Sequence, residues 1–269
     1  MLKRRSISAA FLSQCLFSIF ILIAKINERE KWEMDEIHQK IQLFIQTGKA
    51  DIPLSVNERS LQIFGNEKYL ASPECQSILK KYHLSLGLFN VYQTPEPFIY
   101  YHSMFESKDA LIIENKDTWY TMRKVLMETG SICGMRFSAL IYGEGRKIQS
   151  SFSYIESEDT RDIHQIDQFY YFGDIDSSGI DILYKLIQLY PSYRIIPFEI
   201  GYDYLYTHQK QGRKKELKRD IKISMQELMV LQNLGIEKIK KIFDLCNQGY
   251  IIPQEVMNYE VLKNWDLFS

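Results

Sequence analysis

Four short apolar runs, each followed by a turn and then by residues of helical spacing, constrain the fold of this chain more than any other feature. Residues 110–114 (ALIIE), 137–142 (FSALIY), 168–172 (QFYYF) and 193–200 (YRIIPFEI) read as strands. Between them, residues 116–128 carry Trp119, Met122, Val125 and Leu126 on one helical face. Residues 146–156 read as a polar helix, and residues 180–190 as a strong helix stopped by Pro191. Strands joined by helices of this length require right-handed crossovers and a mainly parallel sheet. The expected fold class is therefore α/β, with helices flanking the sheet.

Three regions follow from the same pattern: 1–105, largely helical and expected to bind DNA or a partner; 106–200, the sheet domain; and 201–269, a helical extension. In the first, residues 28–47 place Trp32, Ile37, Ile41, Phe44 and Ile45 at helical spacing, and Gly48 ends that helix. Ser55 or Asn57 caps a short helix through residue 64. Ser72–Pro73 opens another that runs to about His83. In the extension, Ser224 and Glu227 have capping-box spacing, and residues 234–246 and 253–265 read as two more helices. Lys3, Arg4 and Arg5 precede an uncharged run, 6–24, about as long as a bilayer core requires. It reads as a buried or partner-facing helix. Membrane contact through an anchor is the alternative, and no clear small-residue cleavage site for a signal peptide precedes Lys25.

The net charge of −1 gives no whole-chain case for nucleic-acid binding, so any such case rests on a local patch. Lys210, Arg213, Lys214, Lys215, Lys218 and Arg219 form one, suited to a DNA backbone; a solvated face is the plain alternative. Cys15, Cys75, Cys133 and Cys246 lack CxxC spacing, and the five histidines are scattered without an HExxH motif. Zinc and disulfide frameworks are therefore not expected, and reduced thiols in a cytoplasmic protein are. A Walker motif and a GxSxG elbow are also missing.

In open parallel sheets, ligands bind beyond the carboxyl ends of the strands. Glu114 ends the first strand, and Asp174 and Asp176 lie just past the third. Alternate residues of an extended turn can project the same way, so the DxD pair can offer two carboxylates to one ion. Three crowded carboxylates repel unless a cation neutralises them, and hard oxygen ligands suit Mg²⁺ or Mn²⁺. Each acid also stands near a helix start, where the macrodipole alone favours it. Gly173 and Gly179 are expected to let the backbone turn tightly around the pair. Gly143 and Gly145 are candidates to bring backbone amides near a phosphate, or simply to form a turn. Glu199 and Asp203 either face the same site or serve a helix start.

The segments Ala110-Leu-Ile-Ile-Glu-Asn115, Tyr142-Gly-Glu-Gly145 and Tyr170-Tyr-Phe-Gly-Asp-Ile-Asp-Ser-Ser-Gly179 resemble the Toprim core of the Wadjet nuclease subunit family, JetD. That core is shared more distantly with type IIB topoisomerase A subunits. Residues 57–70 and 252–258 are similar to segments of the same family. The resemblance implies that 106–200 is a Toprim-like catalytic core and that Glu114, Asp174 and Asp176 are its acidic triad, both metal-holding and catalytic. It implies metal-dependent DNA cleavage in a plasmid-restricting defence system, with an SMC-like complex as partner and a homodimer as working form. Two other readings stand beside it. One is a topoisomerase-like, break-forming protein using a tyrosine such as Tyr69, Tyr82 or Tyr92; the other is a non-catalytic DNA-binding assembly module.

Overall fold

The computed structural model describes residues 36–37, 39–41, 43–44, 52–81, 84–214 and 222–265. The apolar run 6–24, Trp32, Ile45 and Gly48 of the first expected helix, Cys15, His38, Tyr82, His83, Lys215, Lys218 and Arg219 lie outside the described residues. The chain divides into two compact units, Met1–Thr94 and Pro95–Ser269.

In the first unit, Ser55 caps α1 (Val56–Phe64), accepting from the Glu58 amide while Glu58 reaches back to the Ser55 amide. Each such cap typically contributes about 1 kcal/mol. Gly65, at φ 71°, ends the helix in the left-handed conformation that only glycine adopts without strain. α2 follows as Pro73–Lys81. Strand β1 (Leu54–Ser55) pairs in parallel with β2 (Val91–Tyr92). Ile41, Phe44, Leu70, Cys75, Leu79 and Phe89 form the core of this unit.

The second unit is built on a five-stranded sheet. Its strands are β3 (Tyr100–His102), β4 (Asp109–Ile113), β5 (Ala139–Tyr142), β6 (Gln168–Phe172) and β7 (Arg194–Pro197), in the order β3-β5-β4-β6-β7. Every pairing is parallel except that of the edge strand β3 with β5. Strands β4 and β6 are therefore central neighbours, in register from Asp109–Gln168 to Ile113–Phe172. Ala110 to Ile113 are all fully buried, which is why this run is apolar without alternation: both faces are covered. Helix α3 (Lys116–Thr129) covers the sheet with Trp119, Met122, Val125 and Leu126, the face read from the sequence.

Helix α5 (Ser177–Leu189) and α6 (Glu199–Thr207) follow β6 and β7. The fourth strand stops at Pro197, because Glu199 already lies in α6. The polar segment 146–156 is not one α-helix. It is a 3-10 turn, a single α turn α4 (Ile148–Ser151), and a second 3-10 stretch Phe152–Glu156. Ser150 and Ser153 donate to backbone carbonyls three residues back, the local competition that shortens helices.

Strand β8 (Arg213–Lys214), α7 (Met225–Leu228), α8 (Ile236–Asn247), β9 (Tyr250–Ile251) and α9 (Tyr259–Lys263) complete the chain. The expected capping box of Ser224 and Glu227 opens α7. Residues 253–265 are also not one helix: a 3-10 turn, Gln254–Val256, precedes α9, which Asn258 restarts by capping Val261. Tyr202, Leu228, Leu231, Ile239, Ile242, Met257 and Leu262 join Ile112 and Phe172 in one continuous core. The carboxyl-terminal segment is thus packed into the sheet unit. Among the described residues, no helix is long and apolar enough to cross a membrane.

Candidate metal centre

Glu114 follows β4 directly, and its amide donates to the Phe172 carbonyl at 2.9 Å, extending the β4–β6 ladder by one bond. That bond brings Glu114 level with Gly173 and the turn Asp174–Asp176. The side chains of Glu114, Asp174 and Asp176 are all half-buried. The Glu114 carboxylate lies so close to the turn that a β-carbon on Gly173 would meet its Oε2 at 2.4 Å, and one on Gly179 would meet it at 3.2 Å. Neither glycine has a positive φ. The expectation that they serve tight turning is therefore corrected: they make room for the Glu114 carboxylate and for the Asp174 backbone.

Two buried tyrosines floor the site. The Tyr171 hydroxyl donates to Glu114 Oε2 at 3.1 Å, and the Tyr202 hydroxyl accepts from the Gly173 amide at 3.2 Å. Burial, followed by the Glu114 charge, pushes both phenols well above their ordinary range, so they act as neutral hydrogen-bonding groups. Asp176 caps α5, accepting from the Gly179 amide at 2.7 Å, and so has a structural task as well.

Asp174 is held from the carboxyl-terminal segment. Ile175 and Ile252 exchange two backbone bonds, of 3.0 and 3.1 Å, and dock residues 252–255 against the turn. Asp174 Oδ1 accepts from the Gln254 amide at 2.9 Å, from Gln254 Nε2 at 3.4 Å and from Asn115 Nδ2 at 3.2 Å. Asn115 Nδ2 also donates to Glu255 Oε1 at 3.1 Å, which brings a fourth, exposed carboxylate to the rim. Asn115, Gln254 and Glu255 were not identified as site residues from the sequence. The one available signal was the likeness of residues 252–258 to the family of the acidic turn.

The electrostatics show an unneutralised cluster. Burial, then Asp174 and Asp176, push the Glu114 carboxyl up to about 7. Burial raises Asp174 to about 6 against the pull of the Gln254 amide, with Asp176 and Glu255 adding repulsion. Among the described residues, no Lys or Arg pairs with Glu114, Asp174 or Asp176. Nor do three His, Cys, Asp or Glu side chains form a group arranged to clasp a metal ion. Mg²⁺ does not need one, since it keeps several waters and takes one or two carboxylates. The donors are hard oxygens, and their mutual repulsion is what a divalent cation relieves, so the residues fit such an ion.

The other candidates fall elsewhere. The amides of Gly143 and Gly145 donate to the Ile113 and Glu114 carbonyls at 2.8 and 3.4 Å, fastening this loop to the end of β4 rather than facing outward. Glu144 and Gly145, at φ 52° and 62°, make the turn left-handed. Glu199 accepts from Asn233, and Asp203 pairs with Lys238, so neither joins the acidic set; the helix-start alternative describes Glu199, whereas Asp203 lies in the middle of α6. His102, His164 and His208 have local partners in Asp162, Ser157 and Tyr204.

Lys210, Arg213 and Lys214 are exposed. Arg213 and Lys214 lie on β8, paired with β9, and β9 runs straight into the segment that holds Asp174. Two cations are therefore tethered to the acidic rim through one strand, with Lys210 in the turn before it. Cys75, Cys133 and Cys246 are buried and free, with thiols that burial raises to about 11, 12 and 12. None is a reactive thiolate.

No curated protein matches the chain. The family model described as "Wadjet protein JetD, C-terminal" matches residues 77–265, which span the whole sheet, the acidic turn and the segment that clamps it. The chain belongs to the family of Wadjet protein JetD carboxyl-terminal regions, a membership that implies a role in Wadjet defence.

Proposed function

We propose that this chain is a metal-dependent endodeoxyribonuclease of a Wadjet-type defence system, built on a Toprim-like core. The observation that carries the reading is the half-buried cluster of Glu114, Asp174 and Asp176, with Glu255 at its rim, left without a basic partner at the carboxyl ends of the two central strands. Asp174 and Asp176 would hold Mg²⁺ or Mn²⁺, with Glu114 as a further ligand or as general base. The ion supplies charge stabilisation at the scissile phosphate and a more acidic water.

The residues of the chain do the rest. Glu114, with a proton affinity near neutrality, is suited to take a proton from water attacking the phosphodiester. Tyr171 fixes the orientation of that carboxylate by donating to Oε2. Lys210, Arg213 and Lys214, together with Lys215, Lys218 and Arg219, bind the DNA backbone non-specifically. A homodimer and an SMC-like complex are the partners expected of such a nuclease. Tyr171 and Tyr202, the tyrosines beside the acids, are buried with engaged hydroxyls and are not available as nucleophiles; a covalent protein–DNA adduct would favour the alternative of attack by Tyr69, Tyr82 or Tyr92.

The test is a Mg²⁺-dependent nicking assay on supercoiled plasmid. Asp174→Ala is expected to abolish cleavage while leaving the circular-dichroism spectrum intact. Full cleavage by a folded Asp174→Ala protein contradicts the assignment.

A further inference from the structure

Asn115 occupies the N-cap position of α3 in extended conformation, φ −91° and ψ 142°, yet its side chain makes no capping bond. Asn is among the best capping residues, and a cap is worth about 1 kcal/mol. Among the described α-helices, the other Ser, Asp and Asn N-caps behave as expected: Ser55, Asp176, Ser224 and Asn258 all accept from a first-turn amide. Asn258 is the closest comparison, the same residue at the same position, and it accepts from the Val261 amide at 3.2 Å. Asn115 instead turns its amide nitrogen to the acidic rim, where it bridges Asp174 Oδ1 and Glu255 Oε1.

We infer that Asn115 is a positioning residue of the acidic site, forgoing the helix cap to hold Asp174 and Glu255 in the orientation that receives a divalent cation. With Asn115 Nδ2, the Gln254 amide and Gln254 Nε2 all on Oδ1, three donors occupy one oxygen of Asp174 and leave Oδ2 as the ligand atom. Gln254 is fully buried, so this clamp is part of the packed core and not a surface contact. The amide also ties a residue after β4 to one 140 positions later, making the carboxyl-terminal segment a structural component of the site. Outer-shell partners of this kind typically change metal affinity by about 10–100-fold when removed.

The experiment separates capping from positioning. Serine caps as well as asparagine but is too short to bridge the two carboxylates. Asn115→Ser in the full chain is expected to leave the metal-free melting midpoint unchanged or raised, and to weaken Mn²⁺ binding, measured by calorimetry, by about 10-fold or more. Asn115→Thr, also a competent cap, serves if the serine variant does not fold. The inference rests on the acids being a divalent-ion site. A parent chain that binds no Mn²⁺ overturns both readings. A parent that binds, with a folded variant that binds equally well, overturns the role of Asn115 alone.

Discussion

The segments that follow β5 and β7 carry acids just as those that follow β4 and β6 do, but the two sets are treated in opposite ways. Glu144 pairs with Lys147 at 2.8 Å, and Asp203 pairs with Lys238. Even Asp181, inside α5 and largely buried, is clasped by Arg146 at 2.5 Å and Lys185 at 2.9 Å. Glu114 and Asp174 receive only neutral donors and repel each other and Asp176. An acid paired with a cation is electrostatically complete. Under the proposed reading, the unpaired, half-buried set is completed by a divalent ion, and that difference would separate structural acids from ligand-binding ones along one sheet edge.

The comparison predicts opposite signs on mutation. The largest effect is expected from Gly173→Ala, which drives a methyl group against Glu114 Oε2. It should destabilise by about 3 kcal/mol, read from denaturant melts, and remove any stabilisation by Mg²⁺. Asp181→Ala should destabilise by about 2 kcal/mol, because it strands Arg146 and Lys185, with partial relief because both cations reach solvent; Mg²⁺ affinity should not change.

Glu114→Gln should do the reverse, raising the metal-free melting midpoint at pH 7.5 by about 3 °C while abolishing the response to Mg²⁺. The sign follows from the shift. Between about 4.5 and about 7, folded Glu114 keeps a proton that the unfolded chain has lost. Its contribution to metal-free stability is therefore largest at low pH and is lost as pH rises through that interval. Melts of the parent from pH 5 to 8 should show this decline, and Glu114→Gln should reduce it to the smaller part that Asp174, raised to about 6, contributes. The smallest effect is expected from Glu144→Gln, under about 0.5 kcal/mol, since exposed pairs contribute little. A large loss of Mg²⁺ affinity in that variant would erase the distinction between the two sets.

The sequence exposed those parts of the fold whose signal is local. Residues 168–172 were legible as a strand because an apolar run ends abruptly in Gly-Asp, and Ser224 as a cap because Glu227 lies three residues on. Glu114, Asp174 and Asp176 were legible because each follows such a strand. The clamp was not. Gln254 meets Asp174 from 80 positions away, and a polar contact between two irregular segments leaves no periodicity. Segments 146–156 and 253–265 read as single helices because their spacing allows it; Ser150, Ser153 and Asn258 break them through side-chain bonds to backbone that spacing does not encode. The glycines of the turn suggest tight turning in the sequence, whereas in the structure a carboxylate fills the space beside them, a close approach that no local pattern encodes.

The central claim is that Glu114 and Asp174 give up protons to share a divalent ion. Titrating Mg²⁺ or Mn²⁺ into the chain by calorimetry, at pH 7 in two buffers of different ionisation enthalpy, counts the protons released. Binding with release of about half a proton, falling towards zero at pH 8.5, is the predicted result, because Glu114 titrates near 7. No binding heat in either buffer, or binding that releases no proton at pH 7, would contradict it.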